Sequence, residues 1–170
     1  NFWAIGLNGD TLKPDGFLKF FLDRGLDFKF FVRSMTGLAT GSASAYAENI
    51  KVLQDYKNKM LSDEITEVDA ILKDLATYET QGWAVGINAD TMVPDQFLKY
   101  FSEHNLPLEM YIQKDFVSIG DSSAYEANKA TLEDYRAKLV EAQKTMLVPV
   151  KPVHPIQPVP PVEQSNSISN

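Results

Sequence analysis

Apolar and polar residues alternate at the start of the chain. Trp3, Ile5 and Leu7 are separated by Ala4, Gly6 and Asn8. Period two marks a strand with one buried face. The pattern then changes. Phe17, Leu18 and Phe21 follow Pro14 and Asp15 and form the stripe of a helix lying on a core. Pro14 suits the first helical turn, where its missing N–H costs nothing, and Asp15 complements the positive helix end. Gly25 closes the helix in the left-handed region. Alternation returns at Phe28, Phe30 and Val32, set against Lys29, Phe31 and Arg33. Gly41-Ser42-Ala43-Ser44 then leads into a second helix, with a Ser placed to cap it. Tyr46, Ile50, Leu53 and Tyr56 define its inner face.

The same order recurs later. At an offset of 80, Trp3, Ala4, Gly6, Asn8, Asp10, Thr11, Pro14, Asp15, Phe17, Leu18, Lys19, Phe21 and Leu26 meet identical residues, from Trp83 to Leu106. After a one-residue deletion the offset is 79, and Gly41, Ser44, Ala45, Tyr46, Asn49, Leu53, Asp55, Tyr56 and Lys59 meet Gly120 through Lys138. Unrelated residues would agree far less often. The pattern therefore predicts an α/β or α+β fold built by tandem duplication of a βαβα module. Parallel neighbouring strands would make each crossover right-handed.

In the strands, Trp3, Ile5, Leu7, Phe28, Phe30 and Val32 are expected to point inward. So are Trp83, Val85, Ile87, Leu108, Met110 and Ile112. One outward position, Phe31 or Tyr111, stays aromatic in both copies and is expected to meet a partner. Tyr46, Asn49 and Tyr56, like Tyr125, Asn128 and Tyr135, read as a helix face packed on the sheet with phenol tips at the rim.

Four segments follow: repeat one over 1–61, a connecting helix over 62–81, repeat two over 82–146 and an extended arm over 147–170. Ile65, Val68, Leu72 and Leu75 space the connecting helix, with Ser62 or Asp63 as its cap. The arm carries Pro149, Pro152, Pro155, Pro158, Pro160 and Pro161. Proline every third residue favours polyproline II, which aligns Val150, Val153, Ile156 and Val159 on one edge. That edge is expected to dock on a neighbour. The tail from Ser165 reads as disorder.

Composition then narrows the chemistry. A single module of roughly 60 residues would be marginal alone, so the copies are expected to share a core. The net charge of −7 and the dispersal of Lys and Arg speak against a nucleic-acid partner. There is no cysteine, which excludes disulfides, thiol catalysis and Cys-ligated zinc. No apolar run reaches the roughly 20 residues of a membrane span. The chain starts at Asn1 without Met, which reads as a cut. The sequence assigns no compartment.

No nucleophile elbow, zinc-protease or phosphate-loop motif is present. His104 and His154 stand apart from any ligand pattern. The loops Asn8 to Asp15 and Asn88 to Asp95 repeat an amide, a hydroxyl and two carboxylates. Their spacing does not match a calcium loop. It suits a turn: Asn8 in the left-handed region, Asp10 closing an Asx-turn and Thr11 bonding the turn. No cofactor or metal is expected.

These features favour a non-enzymatic interaction or structural component of a larger assembly, with a protein partner or further copies of itself. A processed virion or capsid-associated protein is one context that fits. An acidic inhibitor of a basic site is the alternative, its densest run being Ser62-Asp63-Glu64 with Glu67 and Asp69. A cation-binding module or enzyme using the Asp10 and Asp90 loops is the third.

Overall fold

The first helix, α1, runs Gly16–Asp23 and begins because Asp15 stops the preceding extended backbone and caps it. Asp15 Oδ1 accepts from the Leu18 N–H at 2.8 Å. Its Oδ2 reaches back to the Gly6 N–H at 2.6 Å. One carboxylate thus satisfies a helix end and ties it to the preceding segment. Asp95 repeats both bonds, to Leu98 at 2.9 Å and Gly86 at 2.7 Å. The helix starts after the Asp, so Pro14 and Pro94 lie outside it, bridged to Leu7 and Ile87. Gly25 and Asn105 follow the helix ends at φ +61° and +54°, as their sequence positions suggest.

The computed structural model describes residues 4–8, 11, 13–33, 39–115 and 117–146. Trp3, Asp10, His154 and the whole arm, with Val150, Val153, Ile156 and Val159, lie outside them. The described residues form a mixed α/β fold. After α1 come β1 (Val32–Arg33), β2 (Ala39–Thr40) and α2 (Ser44–Gln81). Then come α3 (Gln96–Glu103), β3 (Ile112–Lys114), β4 (Val117–Ile119) and α4 (Ser123–Met146). β1 pairs with β2, and β3 with β4, each as an antiparallel hairpin.

The strand expectation is therefore corrected. In place of the two expected first strands, Ile5 and Val85 make isolated antiparallel bridges to Phe31 and Tyr111. Extended pairing stops at the glycine between the apolar residues. Gly86 sits at φ +102°, where an added Cβ would come within 3.0 Å of the Met110 side chain. A residue in that region cannot continue a ladder. Gly120, directly after β4, sits at φ +66°, where a Cβ would strike the Met110 carbonyl. Among the described residues every strand pair and bridge is antiparallel, so the handedness rule has nothing to act on.

The expected cap at Ser62 or Asp63 starts no new helix. α2 continues unbroken for 38 residues, roughly 57 Å at 1.5 Å per residue. Capping residues favour a helix end but do not impose one, and no Gly or Pro lies between Ser44 and Gln81. Gly82, at φ +65°, ends it. The second-helix cap is also corrected. Ala43 gives α2 no side-chain cap, and before α4 it is Asp121 that accepts from the Ser123 N–H at 2.8 Å.

The main core gathers Val68 and Leu75 of α2, Val85, Phe97, Tyr100 and Phe101 around α3, and Tyr125 and Leu132 of α4. α4 runs antiparallel to the second half of α2. Gln143 bonds Ser62 at 2.7 Å, and Arg136 pairs with Asp69 at 2.6 Å. A smaller cluster holds Ile5, Phe31 and Ala45, with Phe28 and Tyr46 against it.

Burial follows the inward reading only in part. Ile5, Val85 and Ile112 are buried, whereas Phe30 and Trp83 are exposed. Phe31, expected to face outward, is buried against its own module, with the Tyr46 ring 5.6 Å away. Tyr111 is half-buried, 5.3 Å from the Tyr125 ring.

Candidate functional site

Two buried asparagines set the geometry of each half. Asn49 Oδ1 accepts from the Lys29 N–H and its Nδ2 donates to the Lys29 carbonyl, both at 2.8 Å. Asn128 does the same to Glu109, at 2.8 and 2.7 Å. A side-chain amide here replaces a missing strand neighbour. It pins α2 and α4 to the extended segments beside them, which fixes the two faces described next.

Among the described residues, nothing fills the first face. Ala4, Ile5, Phe17, Phe21, Tyr46, Asn49, Ile50 and Leu53 line a groove of about 490 Å³. Its walls are almost wholly apolar. Phe17 is 58% exposed and Ile50 53%. The expectation that Phe17 lies on a buried stripe is thus corrected, because among the described residues no helix covers it.

The second face is filled. The sequence mates of Phe17, Ile5 and Leu53 are Phe97, Val85 and Leu132, each 0% exposed. They are covered by Val68 and Leu75, with Ile71, Leu72 and Tyr78 at the edge. The covering residues all belong to the second half of α2, the stretch Ser62 to Gln81.

Polar contacts fix that half of α2 in register. Glu64 accepts from Tyr100 Oη at 2.8 Å and lies 2.8 Å from His104 Nε2. The other ring nitrogen, Nδ1, faces the Tyr100 carbonyl at 2.8 Å. Tyr135 Oη reaches the same carboxylate at 3.4 Å. Burial first, and then the bond to Glu64, push the Tyr100 phenol well above its usual range. Tyr135 is raised for the same reasons, with burial foremost. The Arg136 guanidinium bonded to Asp69 holds that carboxyl below its ordinary value.

The repeated Asp loop is a turn. Asn8 Oδ1 accepts from the N–H and hydroxyl of Thr11, at 2.9 and 3.1 Å. Asn88 does so for Thr91, both at 3.0 Å. The Asx-turn is closed by Asn and not by Asp in the described copy, and Met92, at φ +56°, takes the left-handed position. Asp90 is exposed and pairs with Lys114 at 2.5 Å, which lowers its pKa. Among the described residues no three His, Asp or Glu side chains gather as a metal site. A cleft of about 430 Å³ beside this loop is lined by Tyr78, Trp83, Asn88, Asp90 and Asp95. The Asn88 and Asp95 oxygens there already hold backbone N–H groups.

Sequence reasoning missed the open groove. The signal was present: residues 62–81 stand before copy two, and their apolar spacing calls for a surface to cover. No helix among the described residues is long and apolar enough to cross a membrane. Comparison with known proteins finds no matching family model, no matching curated protein and no matching solved structure.

Proposed function

We propose that the chain is a tandem duplication of a small helix-and-hairpin module, acting as a non-enzymatic protein-binding component of a larger assembly. One observation carries the reading: equivalent apolar faces are filled in the second module and open in the first. Contiguous apolar residues left uncovered on a folded domain suit an interaction site. Buried aromatic anchors such as Phe21, with Phe17 and Ile50 at the mouth, have the make-up of an interface centre. The proline spacing of residues 147–170, which would align Val150, Val153, Ile156 and Val159 on one edge of a polyproline helix, suits a second docking element for the same assembly.

The test compares two forms of the full chain as bait from its native source, wild type and Phe17→Glu/Ile50→Glu. Both positions are exposed, so the substitution leaves the fold intact, as circular dichroism checks. A protein partner, or a second copy, that is held by the wild type and lost from the variant supports the reading. Identical partners and identical mass for both forms would overturn it.

A further inference from the structure

We propose that the open groove of the first module receives an acidic amphipathic helix from another protein, seated as the second half of α2 is seated on the second module. This rests on the reading of the two halves as copies of one interaction module.

The second module shows what such a surface accepts. Its covering helix places Val68, Leu72 and Leu75 over the mates of the groove residues. It also places two carboxylates five residues apart. Glu64 meets His104, and Asp69 meets Arg136. Both basic groups have counterparts in the first module. By sequence alignment Arg24 stands where His104 stands, and Lys57 where Arg136 stands. Arg24 lies over the Phe20 ring, 3.7 Å from its centroid. Phe20 is itself the mate of Tyr100. Among the described residues, neither Arg24 nor Lys57 has a carboxylate in ion-pair range. The groove therefore presents an apolar floor flanked by two cations at the positions where its filled mate pairs carboxylates.

The occupant this calls for is specific. It carries a carboxylate, an apolar residue four positions later, a second carboxylate next to that, and apolar residues three and six positions further on. Helical spacing places all five on one face. It lies antiparallel to the first half of α2, as the second half of α2 lies antiparallel to α4. One difference sharpens the chemistry. Ile50 replaces Lys129, which faces Leu72, Ala76 and Glu79 in the filled face. The occupant therefore meets an apolar wall at that end. A second copy of this chain is a poor source, because the matching face of its α2 is already covered by its own α3 and α4.

The probe is a lactam-stapled peptide of residues 62–81, added to the full chain. Stapling matters because a free helix of this length is marginal in water. Saturable binding to the wild-type chain is expected. Ile50→Glu should abolish it. Arg24→Glu and Lys57→Glu should each weaken it roughly fivefold to tenfold, as should Glu64→Gln or Asp69→Asn in the peptide.

Location is read by trapping. The chain has no cysteine, so Ile50→Cys gives one thiol. Under oxidation it should form a disulfide with a peptide carrying Ala76→Cys, and not with one carrying Lys73→Cys. Trapping with both peptides alike, or affinity unmoved by Ile50→Glu, would overturn the proposal. So would peptide affinity that rises when Val150, Val153, Ile156 and Val159 are changed to Ser, which would make the chain's own arm the occupant.

If the peptide fails while Phe17→Glu/Ile50→Glu still changes the mass of the assembly, the helix proposal is wrong and the interaction reading survives. Failure of both removes both.

Discussion

Asn49 and Asn128 are buried polar residues that hold the fold by copying the hydrogen bonds of a strand. Each bonds one backbone N–H and one backbone carbonyl, of Lys29 or of Glu109. Removing the amide leaves both part-buried groups without this partner, at a cost of about 1–2 kcal/mol each. Asn128→Ala should therefore destabilise by about 2–4 kcal/mol, read as a fall in the urea midpoint at unchanged slope. Tyr100 makes a different prediction. Its phenol is held above its ordinary value of 10.0, first by burial and then by its bond to Glu64. Above that pH the unfolded chain gives up this proton while the folded chain keeps it. The associated stability is fully present below pH 10.0 and drains away as pH rises towards the folded value. Tyr100→Phe should therefore lose less stability than wild type between roughly pH 9 and 11. Equal losses in the two proteins would mean that other groups dominate alkaline unfolding. Phenylalanine fits this position by analogy, since Phe20 occupies it in the first module.

At the scale of elements, matched positions act as internal controls. Phe97 and Phe17 are the same residue on equivalent helices, yet one is 0% and the other 58% exposed. Phe97→Ala should cost ~3–5 kcal/mol, and Phe17→Ala less than about 1 kcal/mol. Denaturation of the two variants side by side checks this. Leu132→Ala and Leu53→Ala should order the same way. The helices were legible in the sequence because their signals are local. Asp15, Gly25 and the spacing of Phe17, Leu18 and Phe21 need no knowledge of the rest of the chain. The β structure was less legible. Ile5 and Leu7 alternate like a strand, but Gly6 between them takes a φ that no ladder tolerates, and φ is not written in hydropathy. The junction at Ser62 failed for a related reason. A cap residue names a helix start only if the preceding turn has somewhere else to go. The groove was hidden because exposure of Phe17 depends on a neighbour, and neighbours are a tertiary fact.

The molecule as a whole is unevenly built. Among the described residues, eight buried residues make the core around α3 and α4, and three make the cluster at Ile5 and Phe31. Local opening costs least where the fewest apolar contacts must break. Amide hydrogen exchange should therefore be faster at Lys29 than at Glu109, although the same asparagine bonds hold both. Binding of a helix in the open groove should narrow that gap. The arm belongs to this scale too. Changing Val150, Val153, Ile156 and Val159 to Ser should leave the thermal midpoint of the fold unmoved and weaken assembly, measured by sedimentation. What joins the two modules is the uninterrupted run of α2, and its length carries geometric information. Asn49, on the first module's face, and Val68, on the second's, are 19 residues apart. At about 100° per residue those faces point roughly 100° apart around the helix axis. One extra residue near Asn58 would swing the groove by about another 100° and advance it by only about 1.5 Å. Seven extra residues would bring it back to within about 20° of its original bearing, roughly 10 Å further along. The bearing of the open groove is thus encoded as a residue count. The middle of α2 should tolerate changes of side chain far more readily than any change of length.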